Sequence, residues 1–368
     1  MSKAQETVLE LNFKALEHNY RYLRSKIDPG TKFLAVVKAF AYGSDATHIA
    51  LHLEGLGADY FAVAYAKEGV ALRQGGVTKP ILVLHPQPLS FVDLIEHCLE
   101  PGLYSENVLK AFATVAREKG QTGYPVHLKL NTGLNRLGFA SEDIPLMAQI
   151  LKASPQLRAR SVFSHLAASE DLNERYFTQG QITSFRTMAD RLDTLLDRAP
   201  FRHLLNTSGI INYADAQFQM VRSGIGLYGY GNTPEEDRHL IPIATLKTVI
   251  SQIHDIRPGD SVGYNRAFTS RAKRRSATLP LGHADGIGRI YGQGRSSVSI
   301  HGQIAPVIGN VCMDMIMVDV TDIPCEEGDE VIVFGPGHTA AAFAENAGTI
   351  SYELLTGISQ RVTRKYNY

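Results

Sequence analysis

Residues 33–64 read FLAVVKAFAYGSDATHIALHLEGLGADYFAVA. Phe33–Val37 is a continuous apolar run with the length of a buried strand. Ala46–Leu56 has helical spacing, and Tyr60–Ala64 is a second apolar run. Two buried strands joined through a helix make a parallel βαβ unit. The pattern then repeats. Helical Lys67–Gln74 leads to the strand Ile81–Leu84, and Phe91–Cys98 leads to a weaker strand near Leu99–Tyr104. Glu106–Lys119, Asp143–Lys152 and Arg175–Arg198 read as helices, with a short one near Gly209–Tyr213. They alternate with strands at Val126–Leu130, Ser161–His165, His203–Leu205 and Met220–Gly224. About eight such units in roughly 200 residues predict a closed (β/α)8 barrel in preference to an open sheet.

Outside this rhythm the chain reads differently. A helix capped by Asn12 precedes the first barrel strand, with Phe13, Leu16, Tyr20, Leu23 and Ile27 on one face. Leu9 and Leu11 alternate like a strand that need not belong to the barrel. After Asn232-Thr233-Pro234 the long helical stretches end. Short strands at Ala244–Ile253, Ser297–His301, Ile316–Val320 and Glu330–Phe334 are separated by Pro/Gly turns. The expected organisation is a barrel over residues 1–235 and an all-β domain over 236–368, with the strand near 7–11 free to pack on the second.

Composition narrows the function. The 368 residues carry 37 Lys+Arg and 37 Asp+Glu. A balanced charge argues against a nucleic-acid footprint or a polybasic membrane surface. No apolar run approaches the 18 or so residues of a membrane span. The start MSKAQETVLELN lacks an apolar secretory core. Cys98, Cys312 and Cys325 are far apart and form no metal pair. The expectation is a cytoplasmic protein with reduced thiols and no metal.

Barrel enzymes place their working residues at the carboxyl ends of the strands. Lys38 directly follows the first strand. Buried there, its ammonium is disfavoured, and the free amine becomes a nucleophile for carbonyls; alone, it also reads as a lysine reaching solvent. Tyr42 follows in the same turn, and its hydroxyl can donate to a phosphate. The fifth strand supplies Lys129, and the loop after it carries Arg136 between Gly133 and Gly138. The sixth strand ends in His165, a tuning group or a bonded core histidine. Asn206-Thr207-Ser208-Gly209 and Arg222-Ser223-Gly224-Ile225-Gly226 end the seventh and eighth strands, where this fold recurrently binds phosphate. Residues 224–229 match GxGxxG, but they close a barrel series and open no βαβ unit, so a dinucleotide fingerprint is dismissed. A nucleophilic lysine, a phosphate cup and an arginine aimed between them suggest pyridoxal phosphate.

The sequence resembles the alanine racemase family, pyridoxal-phosphate enzymes of fold type III. Six ordered blocks carry the resemblance: Ala35–Gly43, His127–Gly138, Val221–Gly229, Leu279–Arg289, Gly309–Asp314 and Gly348–Glu353. It implies that Lys38 is the Schiff-base lysine and one catalytic base, with Tyr264 the opposing base. Tyr42, Thr207, Gly224, Ile225 and Tyr352 would hold the phosphate, with Asn206 beside them. Arg136 would reach the ring phenolate and the substrate, Arg222 the pyridine nitrogen, and His165 would contact Tyr264. Met313 and Asp314 would meet the substrate carboxylate. Tyr264, Met313 and Asp314 would come from a second subunit, which implies a head-to-tail homodimer with shared sites. Lys129 would be a candidate for carbamylation, orienting Arg136. The implied activity is interconversion of L- and D-alanine for peptidoglycan.

Two bases suit that reaction, because a proton leaves one face of Cα and returns to the other. A broad-specificity amino-acid racemase, or a decarboxylase or aldolase on the same barrel, is the alternative. Arg222 speaks against the latter pair, since a cation at the ring nitrogen weakens the electron sink. A non-enzymatic pyridoxal-phosphate carrier would lack the β domain. Phe40, Ser44, Asp45, Asn131, Thr207 and Ser223 depart from the family's commoner residues, and His283 stands where an entrance-lining Tyr is usual.

Overall fold

The computed structural model describes residues 6–368. Strand β1 is Val8–Asn12. Eight parallel strands then close a barrel: β2 (Lys32–Val36), β3 (Tyr60–Val63), β4 (Ile81–Val83), β5 (Glu100–Leu103), β6 (Tyr124–Lys129), β7 (Leu157–Phe163), β8 (Phe201–His203) and β9 (Met220–Ser223). Closure is made by β2 against β9, from Lys32 opposite Met220 to Ala35 opposite Ser223. Phe33–Val36 of β2, β3 and β4 read as apolar runs because both of their faces are covered, whereas the later strands also carry polar residues, among them His127, Ser161, His203 and Arg222. β5 is faint. Pro101 and Gly102 interrupt its apolar pattern, and a Cβ on Gly102 would lie 3.2 Å from the Val83 carbonyl.

The helices follow their sequence signals. In Glu106–Glu118, Ser105 caps the first turn by accepting from the Val108 amide, and Val108, Leu109, Phe112, Ala113 and Ala116 are buried. Asn12 accepts from the Ala15 amide at 3.0 Å, capping Phe13–Arg24.

The described residues divide into two compact units, residues 17–41 with 46–240, and residues 6–16, 42–45 and 241–368. The second unit is built on a nine-stranded sheet. Its order is Gln252–Ile256, Arg274–Leu279, Ile316–Asp319, Gln303–Ile308, Ser297–Ile300, Glu330–Phe334, Ala244–Val249, β1, Thr363–Asn367. β1 runs antiparallel to Ala244–Val249 and parallel to Thr363–Asn367. Buried Lys247 bridges Glu10 and Glu330 at 3.2 and 3.4 Å. Two details depart from the sequence expectation. The single strand read over Ala244–Ile253 is two strands broken at Ile250-Ser251, each pairing with a different neighbour. The region is also not purely β, since Ala340–Glu345 and Ser351–Gly357 are short helices.

After β2 the backbone makes a left-handed turn, with φ of 53, 55, 51 and 53° at Ala39, Phe40, Ala41 and Tyr42. Such angles cost roughly 1–2 kcal/mol for each non-glycine residue. Gly43 ends the turn at φ 79°, and a Cβ there would run into the Leu355 carbonyl. Gly43→Ala should therefore lower unfolding stability by at least about 2 kcal/mol, read as a reduced denaturant midpoint with unchanged slope.

Candidate active site

Lys38 leaves the carboxyl end of β2 half-buried. Burial lowers its pKa below the usual lysine value, the Arg136 guanidinium lowers it further, and Glu68 opposes both. Glu68 escaped the sequence reading. Its carboxylate accepts from the amides of Ala39 (2.6 Å), Ala64 (2.7 Å) and Tyr65 (3.0 Å), tying the ends of β2 and β3 together. The available signal was a glutamate at the third position of the helix after Tyr65, the place of a capping carboxylate.

Lys129, at the end of β6, is buried beside the Phe163 ring at 5.8 Å. Burial, then Arg136, Arg222 and Lys38, pushes its pKa down to about 8. Burial and the same cations drive His165 well below its ordinary value, so its imidazole is neutral. Arg222, buried on β9, is pushed down to about 9 by desolvation and stays charged at neutral pH. Its guanidinium donates to the Ser164 and Leu204 carbonyls at 2.7 and 2.9 Å, to His203 Nδ1 at 2.8 Å, and weakly to His165 Nδ1 at 3.4 Å. Exposed Arg136 borders this group. Asn131 organises the Arg136 loop by accepting from the Gly133 and Asn135 amides and donating to the Asn135 side chain.

Beyond β8 and β9 lies a cup of small polar groups. The Thr207 and Ser223 hydroxyls are 3.0 Å apart, and the Gly226 amide reaches Thr207 Oγ1 at 3.4 Å. A Cβ on Gly226 would sit 2.5 Å from Thr207 Cγ2, so glycine is required for this approach. Gly224 and Ile225 are buried where this turn begins. Asn206, rather than a hydroxyl residue, is the N-cap of Thr207–Asn212, accepting from the Gly209 amide at 2.9 Å and the Ser169 hydroxyl at 2.8 Å.

The other unit holds the remaining candidates. Tyr42 and Tyr352 stand with ring centroids 6.0 Å apart, and burial holds the Tyr42 phenol far above its usual pKa. Tyr264 is 69% exposed, with Asn265 and Arg266 after it at φ 57 and 48°. Met313 and Asp314 are also exposed. The His283 loop supports them: the His283 and Ala284 amides donate to the Cys312 and Met313 carbonyls at 3.0 and 2.8 Å.

The barrel thus brings Lys38, Lys129, Arg136, His165 and Arg222 to one mouth. A primed amine and concentrated positive charge suit an anionic, carbonyl-bearing ligand. Residues 11–232 match the model of the alanine racemase N-terminal domain, and residues 243–366 match that of the alanine racemase C-terminal domain. The chain belongs to the alanine racemase family. It is 36% identical to alanine racemase 1 of Clostridium acetobutylicum, over 97% of this chain and 94% of that protein. Against alanine racemase of Mycobacterium avium the identity is 37%, over 96% of this chain and 92% of that one. The solved structure of alanine racemase from Clostridium difficile 630 superposes with a TM-score of 0.93 at 34% identity, covering 100% of this chain and 97% of that one.

Within this alanine racemase fold, Lys129 carries a stability prediction. Its pKa is about 8 folded and near the ordinary 10.5 unfolded, so the unfolded chain binds its proton more readily. The penalty is full below pH 8 and is relieved as pH rises toward the unfolded value. In bicarbonate-free buffer, Lys129→Met should stabilise the chain at pH 7 by on the order of 2–3 kcal/mol. The gain should shrink above pH 8 in chemical-denaturation curves. Bicarbonate should stabilise only the parent chain if carbamylation occurs, and equal responses would exclude it.

Proposed function

We propose that the barrel mouth holds pyridoxal phosphate, and that the chain interconverts L-alanine and D-alanine at sites completed by a second copy of itself. The observation that carries this reading is the pairing of a desolvated Lys38 amine with a buried cation, Arg222, among the strand-end groups. The barrel residues suit the cofactor: Lys38 its aldehyde carbon, Arg136 its phenolate, and the Thr207/Gly224/Ile225 cup its phosphate, with Asn206 fixing the helix behind the cup. The family pattern adds Tyr42 and Tyr352 at the phosphate. We place the boundary between the cofactor barrel and the β domain at residues 235/236, and the chain in the cytoplasm. No helix among the described residues is long and apolar enough to cross a membrane.

Bound at this mouth, the cofactor would supply an electron sink joined to the alanine amine, which would acidify the hydrogen on Cα. The Lys38 amine serves one face of that carbon, and burial keeps part of it unprotonated and able to accept a proton. The Tyr264 hydroxyl, supplied by the partner, serves the other face; its exposure in the single chain fits a side chain covered only on assembly. Arg136 and the partner's Met313 and Asp314 contact the region of the substrate carboxylate. His165, neutral beside Arg222, contacts the partner's phenol and keeps the cationic charge on the arginine. Charged Arg222 at the ring nitrogen would leave that nitrogen unprotonated and weaken the ring's pull on the Cα electrons, so a proton would be returned to Cα promptly. That favours racemisation over loss of carbon dioxide or an aldehyde. The product D-alanine serves peptidoglycan assembly.

Turnover of L-alanine in deuterium oxide should place deuterium at Cα in both enantiomers, without carbon dioxide release. Lys38→Ala should lose the cofactor's visible band. Tyr264→Phe should keep the band and slow proton transfer at one face more than the other. Mixing the two impaired variants should restore roughly a quarter of the parent activity, because half the dimers then carry one intact site. No recovery on mixing, with subunit exchange verified, would exclude shared sites.

A further inference from the structure

Beneath Arg222 a line of side chains crosses the barrel interior toward the amino-terminal ends of the strands. Arg222 Nη1 is 2.8 Å from His203 Nδ1, and His203 Nε2 is 2.9 Å from Ser161 Oγ. Ser161 Oγ is 2.5 Å from His127 Nδ1, and His127 Nε2 is 2.6 Å from a carboxylate oxygen of Glu100, the first residue of β5. His127, Ser161 and His203 have no solvent exposure. Phe163 stacks on the His203 ring at 4.9 Å and 12°, fixing its plane. Glu100 also faces Tyr60 and Arg160, which are bonded to each other at 3.1 Å.

With both imidazoles neutral, every proton in the line has one position. A guanidinium can only donate, so His203 Nδ1 accepts. Burial and the neighbouring Arg222 charge keep His203 neutral, so its single proton is on Nε2 and is donated to Ser161. The Ser161 hydroxyl proton is left for His127 Nδ1. His127 then carries its proton on Nε2 and donates it to Glu100. All the donors point from the cation at one end toward the carboxylate at the other. The reverse polarity would set an imidazole N–H against a guanidinium N–H.

We propose that Glu100, His127 and Ser161 are positioning residues for Arg222: the line they form locks His203 in the tautomer that accepts from the guanidinium, and so holds the arginine in place at the cofactor ring. The proposal rests on the reading that Arg222 faces the ring nitrogen of the bound cofactor. None of the three touches cofactor or substrate, and Glu100 acts on the site through four intervening hydrogen bonds. Buried networks of this kind orient the group they end on.

The test uses the full chain labelled with 15N-histidine. Ring-nitrogen NMR of the cofactor-free protein should show His127 and His203 as neutral imidazoles protonated at Nε2, each identified by its loss in His127→Asn and His203→Asn. Ser161→Ala should move His203 toward a tautomer mixture. Glu100→Leu should do so for His127, while Glu100→Gln, whose amide oxygen still accepts, should not. In the loaded enzyme, Ser161→Ala should shift the cofactor's visible absorption. It should also lower kcat for alanine by about tenfold or more with KM nearly unchanged. Glu100→Gln should stay closer to the parent than Glu100→Leu in both readouts. The Glu100 pair carries the test if Ser161→Ala does not fold. Unchanged tautomers and absorption in Ser161→Ala and Glu100→Leu would overturn the proposal. So would equal losses of thermal stability in Glu100→Gln and Glu100→Leu with no spectral change. If Arg222→Gln itself leaves the absorption unmoved while the ring nitrogens respond as expected, the placement of the cofactor ring has failed, and the functional half of the proposal falls with it.

Discussion

Like charges confined in a poorly solvated space dominate this molecule. Lys38, Lys129, Arg136, His165 and Arg222 meet at one barrel mouth, and each cation makes its neighbours harder to protonate. The chain meets that repulsion in graded ways. The imidazole surrenders its charge. The amines are eased toward neutrality. Arg222, which cannot follow, is wrapped by two strand-end carbonyls and a neutral His203. What remains is an excess of positive potential that an anion with an electrophilic carbon relieves. Affinity for the ligand and reactivity of the amine then come from a single electrostatic condition.

The barrel is the natural carrier of that condition. Parallel strands direct their carboxyl ends, with carbonyls exposed, to one face, and the loops leave from there. Carbonyls at Ser164 and Leu204 supply negative partial charge without adding a titratable group. Glu68, the carboxylate nearest to Lys38 in effect, is occupied by three amides and serves as a clasp between β2 and β3.

Much of this was legible in the sequence for a physical reason. Strands covered on both faces are largely apolar, so the first barrel strands announce themselves, and a lysine or arginine at such a strand's end stands out. β5 was faint because Pro101 and Gly102 dilute its apolar run. The break at Ile250-Ser251 was hidden because Ile250 is buried and continues the apolar pattern. The helices Ala340–Glu345 and Ser351–Gly357 are too short to establish a periodicity. Glu68 and the Glu100–His127–Ser161–His203 line could not be seen for a different reason. Their partners lie on separate strands and meet only when the sheet closes, and a histidine's role depends on which neighbour fixes its proton. The role of Asn131 was likewise local: it folds its own loop.

The left-handed turn after Lys38 bears on how this chain can vary. Ala39, Phe40, Ala41 and Tyr42 sit in a torsional basin that excludes β-branched side chains. Val, Ile and Thr are thus barred from four successive positions whatever room surrounds them, whereas Asn, Asp and Gly would be tolerated by the backbone. Diversity accepted beside the reactive amine is filtered by dihedral angle before it is filtered by chemistry, and libraries built at 39–42 should be restricted in the same way.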